Sequence, residues 1–186
     1  REILLSLLQV LEYVHSKGII HRDIKPDNII VRNSNGKPVL IDFGAVKETI
    51  RTVINSAGNT TKSMVIGTPG YMPIEQAVGR AVFATDIYSL GLTAIFLLTG
   101  KHPQELETNP QTGEILWEDC LPQKLSTSFK TVLNQAINPN VGSRYSTASK
   151  MLHALQSNNS NSLPTSPLNT QNTQQTVAVS PVARIP

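Results

Sequence analysis

A single cysteine, Cys120, means that no disulfide can form within this chain. A lone thiol fits a reducing compartment, and Cys120 itself reads as an inert small side chain. Long apolar runs are missing too. The longest, around Leu90 to Leu98, lies between Asp86 and Lys101, well short of the ~18 residues a membrane span needs. It reads as a buried core helix. Charge is nearly balanced: 16 Lys and Arg against 13 Asp and Glu leave a formal net charge of +3. So slight an excess makes no case for nucleic acid or a membrane surface. No signal peptide is expected from this sequence, which opens without an initiator Met, Arg1-Glu2 leading directly into helical periodicity. An amphipathic helix without a cap before it is expected in a chain cut from something longer. Short fixed repeats are absent.

What remains is an apolar content of 39%, close to that of ordinary globular proteins, and 186 residues, room for one domain with or without a tail. Ile3, Leu4, Leu7, Leu8, Leu11 and Val14 form a helical stripe with one buried face, and Gly18 is the expected stop. Ile29-Ile30-Val31 and Val39-Leu40-Ile41 are β-branched runs flanking the turn signal Asn33-Ser34-Asn35-Gly36, which predicts a hairpin. Residues 45–72 have no clear period and are rich in Thr, Ser, Asn and Gly, as a functional loop would be. From Asp86 to Thr99 the chain is apolar nearly all round, which predicts a central helix stopped by Gly100. Two amphipathic helices are expected near Thr127–Ile137 and Ser146–Leu155, with Asn138-Pro139-Asn140 as the turn between them.

Composition changes at Ser157. Of the last 30 residues, 21 are Ser, Thr, Asn, Gln or Pro and only Arg184 is charged. Such a segment buries too little apolar surface to offset its ordering entropy. The expected organisation is a domain over 1–156 and a disordered tail or linker over 157–186.

One stretch carries more information than the rest. His21-Arg22-Asp23-Ile24-Lys25-Pro26-Asp27-Asn28 is followed, after the predicted hairpin, by Asp42-Phe43-Gly44. On these two blocks the chain resembles the C-terminal lobe of a eukaryotic-type protein kinase, in the style of bacterial serine/threonine kinases. A lone Asp-Phe-Gly would mean little; both blocks at the right separation are specific. The resemblance covers roughly residues 1–155. It implies an α+β protein-kinase fold, C-lobe only, mainly helical with a small hairpin beside the catalytic loop.

The resemblance assigns roles that suit the residue types. Asp23 would accept the proton of an attacking hydroxyl and aim its oxygen, with Lys25 placing positive charge beside the transferred phosphoryl group. Asn28 and Asp42 would hold Mg²⁺ through a carbonyl and a carboxylate oxygen. Lys25, Asn28, Ile30 and Asp42 would meet ATP, Ile30 as an apolar contact below the adenine. Lys25 also looks like the mark of a serine/threonine kinase as opposed to a tyrosine kinase. His21 and Phe43 would hold the catalytic loop and the Asp42-Phe43-Gly44 turn in register. Gly67-Thr68-Pro69-Gly70-Tyr71 resembles the segment that receives substrate residues, with Thr68 bonded to Asp23 and Lys25. Glu75 would pair with Arg144, although Pro73-Ile74-Glu75 departs from the family's Ala-Pro-Glu. Asp86 has two readings: a helix cap, or an acceptor for the backbone near His21 and Arg22. Arg22 would be neutralised by an activation-loop phosphate, for which Thr60, Thr61 and Ser63 are candidate acceptors or merely loop hydroxyls.

A whole kinase also has an upper lobe with a Gly-rich loop, a strand Lys and a helix Glu. No G-x-G-x-x-G occurs in this sequence. The expectation is therefore a cytoplasmic serine/threonine kinase acting on protein substrates with ATP and Mg²⁺, represented by its lower lobe and inactive alone. No nucleic-acid partner and no membrane segment are expected, and a longer parent leaves room for an anchor beyond Pro186. The rival expectation is a pseudokinase-like or truncated interaction module. Intact Asp23, Lys25, Asn28 and Asp42 speak against it.

Overall fold

The computed structural model describes residues 1–43, 49–54, 60–65 and 67–157, without the side chains of 49–54 and 60–65. Helix α1 (Glu2–Ser16) buries Leu4, Leu7, Leu8, Leu11 and Val14, the stripe expected from the spacing. It closes at Lys17, and Gly18, at φ 72°, turns the chain away. A 3-10 turn at Pro26–Asn28 leads into β1 (Ile29–Val31), which pairs antiparallel with β2 (Pro38–Leu40). The second strand begins one residue earlier than expected. Pro38 takes its first position, where no ladder N–H is needed. Ile41 instead gives its N–H to the Asn28 carbonyl at 3.0 Å, tying the strand exit to the loop.

The expected loop over 45–72 is a partial correction. Strands β3 (Thr49–Ile54) and β4 (Thr60–Val65) pair antiparallel within it. Thr49, Ile50, Thr52, Val53 and Ile54 are β-formers, but without alternation of apolar and polar residues they carry no period to read.

Helix α2 (Ile74–Ala77) is one turn long, and α3 (Phe83–Thr99) is the central helix. The latter starts at Phe83, three residues before Asp86, after the N-cap Val82, whose N–H donates to Thr85 Oγ1 at 3.0 Å. The cap reading of Asp86 therefore falls. Ile87, Leu90, Leu92 and Ile95 on α3 are essentially inaccessible. A short hairpin of β5 (Glu107–Thr108) and β6 (Ile115–Leu116) precedes α4 (Thr127–Ala136) and α5 (Ala148–Ser157). α5 starts two residues later than expected because Thr147 Oγ1 accepts the Lys150 N–H at its entry.

Packing explains the order of the helices. α1 lies against α5, and α3 packs on α4 where Gly91 permits close approach. A Cβ at Gly91 would sit 2.7 Å from Ile137 Cγ2 and 3.2 Å from Ala136 Cβ. Trp117, 1% exposed, closes the core from the β6 side and donates Nε1–H to Asn134 Oδ1 at 2.7 Å. Among the described residues no helix is long and apolar enough to cross a membrane.

Candidate active site

α3 is the anchor. Asp86, in its first turns and wholly buried, receives the His21 N–H on Oδ2 at 2.8 Å and the Arg22 N–H on Oδ1 at 2.9 Å. His15 Nε2 lies 2.8 Å from the same Oδ2. Three residues further along, Ser89 Oγ donates to the Tyr71 carbonyl at 2.8 Å. One face of one helix thus holds two loops, residues 19–28 and 67–72, against each other.

The first loop needs this support. Arg22 has φ 68°, a left-handed conformation that L side chains with long stems seldom adopt. His21 is fully buried. Its Nε2–H donates to the Ile41 carbonyl at 2.9 Å, and its Nδ1 accepts the Asp23 N–H at 3.3 Å. One imidazole thereby joins the loop to the exit of β2. Phe43 packs edge-on to that ring with centroids 4.8 Å apart, its own side half exposed.

The side chains that follow converge on Asp23, which is 4% exposed. Lys25 Nζ donates to Thr68 Oγ1 at 2.9 Å, and Thr68 Oγ1–H donates to Asp23 Oδ1 at 2.6 Å. Asn28 Nδ2 gives its protons to the Asp23 carbonyl at 2.7 Å and to Asp23 Oδ2 at 3.0 Å. Lys25 Nζ stands 3.9 Å from Asp23 Oδ2 and 3.9 Å from Asp27 Oδ2. A buried carboxylate surrounded by donors is held in one orientation. Nearby, burial and the Asp27 charge push the Tyr71 phenol up to about 12, so it stays a neutral hydroxyl.

Gly67 admits the second loop. It has φ 123°, and a Cβ there would lie 2.3 Å from Gln76 Nε2 and 3.1 Å from the Arg22 carbonyl oxygen. Gln76 Nε2 donates to that Arg22 carbonyl at 2.5 Å. Behind the loop, Arg144 donates to Glu75 through both terminal guanidinium nitrogens, at 2.6 and 3.2 Å. Thr85 Oγ1 donates to Glu75 Oε1 at 3.0 Å, and the Arg144 guanidinium lies 4.5 Å above the Tyr88 ring. Arg144 also takes the Asn138 and Pro139 carbonyls, so the expected turn is tied to the same pair. Burial raises the pKa of Tyr88, against the lowering effect of Arg144.

Most residues singled out in the sequence therefore meet. Asp23, Lys25, Asn28 and Thr68 form one hydrogen-bonded set, His21, Arg22 and Asp86 a second, Glu75 and Arg144 a third. Asp42 lies exposed at the exit of β2 with φ 59°, and Ile30 is exposed on β1. Gly44 lies outside the described residues, as do the side chains of Thr60, Thr61 and Ser63. Gln76, Thr85 and Ser89 carry no signal in the sequence, since a polar residue on a helix says nothing until its neighbour across the fold is known.

A His-Arg-Asp loop with its His and Asp buried, hung from a central helix beside a hairpin that leads to Asp42-Phe43, is the arrangement of protein kinases. A family model described as protein kinase domain matches residues 1–157, and the chain belongs to that family. It is 64% identical over 156 residues to serine/threonine-protein kinase PknA of Nostoc sp., covering 84% of this chain and 28% of that protein. With serine/threonine-protein kinase C of Synechocystis sp. it shares 54% over 160 residues, covering 86% of this chain and 30% of that one. The chain thus spans less than a third of the length of these relatives. The crystal structure of the Mycobacterium tuberculosis PknI kinase domain shares the fold, with a TM-score of 0.60 at 23% identity over 83% of this chain and 53% of that one.

Proposed function

We propose that this chain is the lower, substrate-facing lobe of a protein serine/threonine kinase. The observation that carries the reading is the relay from Lys25 through Thr68 to Asp23, with Asn28 on the other carboxylate oxygen. Asp23 would accept the proton of a serine or threonine hydroxyl and orient its oxygen in line with the γ-phosphate of ATP. Lys25 sits where charge builds on the transferred phosphoryl group. Thr68 keeps the Lys25 amine and the Asp23 carboxylate at fixed separation and lines the approach of the substrate backbone.

Asn28 and Asp42 fit a hard cation. Both Asn28 amide protons are spent on Asp23, so Oδ1 is the atom left to offer a metal. Two protein oxygens plus substrate phosphates is the donor set Mg²⁺ takes, and no larger cluster of His, Cys, Asp and Glu occurs among the described residues. Bound there, Mg²⁺ would neutralise phosphate charge. Ile30, half exposed on β1, would give the adenine an apolar floor. The names of the Nostoc and Synechocystis relatives support serine and threonine as acceptors.

A Gly-rich loop, strand Lys and helix Glu over the phosphates have no counterpart in the sequence. Alone, the chain would leave ATP open to water and transfer phosphate negligibly. Joined to the upper lobe of its Nostoc relative, it would transfer label from γ-labelled ATP to a protein acceptor. Transfer by the isolated chain at the rate of the joined protein would overturn the lobe assignment.

A further inference from the structure

The chain leaves α3 at Gly100, and shortly after it His102 lies against Gly70 and Tyr71. Nothing in the chemistry above uses this histidine. It precedes a 3-10 turn at Pro103–Glu105. Its backbone N–H donates to Glu105 Oε2 at 2.9 Å, and its Nδ1 accepts the Gln104 N–H at 3.3 Å. An accepting Nδ1 carries no proton, so the neutral ring holds its proton on Nε2. The bond to Gln104 fixes which way the ring faces. So oriented, the ring meets Tyr71 edge to face, with centroids 5.3 Å apart and planes at 90°. Its Cε1 lies 2.9 Å from the place a Cβ would take on Gly70, and Gln104 Cγ lies 3.0 Å from it. Capping the turn needs only a short acceptor such as Asn or Ser. A ring does more, because it gives Gly70 and Tyr71 a wall.

Tyr71, 5% exposed, belongs to the turn that carries Thr68. The Tyr71 and Met72 N–H groups both donate to the Thr68 carbonyl at 3.1 Å, and Ser89 holds the Tyr71 carbonyl. Whatever fixes the Tyr71 ring therefore bears on Thr68, whose hydroxyl links Lys25 to Asp23. The geometry points to His102 as a positioning residue: from the exit of α3 it buttresses Gly70 and Tyr71 and so holds the segment that receives the protein substrate. The consequence for substrate rests on the kinase reading; the buttress itself does not.

Three substitutions separate the ring from the cap. His102→Ala removes both. His102→Asn keeps an oxygen for the Gln104 N–H but no ring, and His102→Phe keeps a ring without the cap. Amide hydrogen exchange by NMR on the whole chain reads local opening without any activity. The Tyr71 and Met72 amides should exchange about tenfold faster or more in His102→Ala and His102→Asn, and stay within roughly threefold of the original rates in His102→Phe. Leu92 and Leu133, in the core of α3 and α4, should change less than about twofold in all three. In the chain joined to the upper lobe of its Nostoc relative, KM for dephosphorylated casein should rise about fivefold or more in His102→Asn, with kcat and KM for ATP little changed. Unchanged Tyr71 and Met72 rates in His102→Asn, equal acceleration at the core amides, or loosening in His102→Phe as large as in His102→Asn would overturn the buttress. A casein KM that stays the same while the two amides loosen would overturn its part in holding substrate. If the joined protein transferred no phosphate at all, the kinase reading would fail, and the exchange rates would still decide the buttress.

Discussion

Thr68 links two groups that would otherwise act separately. Its hydroxyl accepts from Lys25 and donates to Asp23. Thr68→Ala removes both bonds, leaving a buried carboxylate short of one donor and an amine free to swing. Loss of one such hydrogen bond in the transition state corresponds to about tenfold in rate. In the chain joined to an upper lobe, kcat should fall by at least that factor while KM for ATP changes little, and Thr68→Ser should recover most of it. Steady-state kinetics on the three proteins separates the two parameters.

Glu118 makes a smaller residue-level case. Its hydrogen bonds from Lys130, at 2.6 Å, and from Asn134 hold its carboxyl below the usual 4.5. The folded state therefore favours the ionised form. Its contribution is present above the unfolded pKa and is lost as pH falls through the lower folded value. The group is partly exposed, so the effect is under about 1 kcal/mol. Urea titrations at pH 6 and pH 3 should show Glu118→Gln losing slightly less stability on acidification than the original chain. A larger acid loss in the variant would reverse the sign.

Between elements, the pair of Arg144, with a side chain 0% exposed, and Glu75, at 12%, is a buried tie. It joins α2 to the turn before α5. Removing one partner of a buried pair leaves an uncompensated charge and costs about 3–5 kcal/mol. Arg144→Leu should lose that much in urea unfolding, and adding Glu75→Leu should recover part of it, because the pair is coupled. Strictly additive losses would show that the two side chains act independently.

The elements also show what a sequence can and cannot reveal. α1 and α3 are legible because their apolar residues repeat at the helical period and their partner faces are large. The β1–β2 hairpin is legible from its turn. The pairing of β3 with β4 is not, because its strands alternate nothing. An acidic residue before an apolar run resembles a cap, which puts the expected start of α3 at Asp86; of its two readings, the carboxylate takes the other, accepting from the backbone of His21 and Arg22. Asp23, Lys25, Asn28 and Thr68 stand out by motif resemblance, but their shared hydrogen bonds join residues 45 positions apart, and only folding brings these together.

Across the whole molecule, helices hold two loops in fixed relation, and the described residues proposed to act in phosphoryl transfer belong to those loops, to the β1–β2 hairpin or to its exit. Asp23 gathers bonds from Thr68 and Asn28, while Asp42 and Ile30 lie exposed at the rim. On the proposed reading, that is one wall of a cleft. A second wall over the ATP phosphates would exclude water and strengthen every charge interaction within it. The most direct measurement is phosphate transfer from Mg-ATP to a protein acceptor by the chain joined to the upper lobe of its Nostoc relative, with and without Asp23→Asn. Label should appear on serine and threonine and fall by at least about a hundredfold in the variant. Label on tyrosine would contradict the part of Lys25 in choosing the acceptor, and a variant as active as its parent would contradict Asp23 as the proton acceptor.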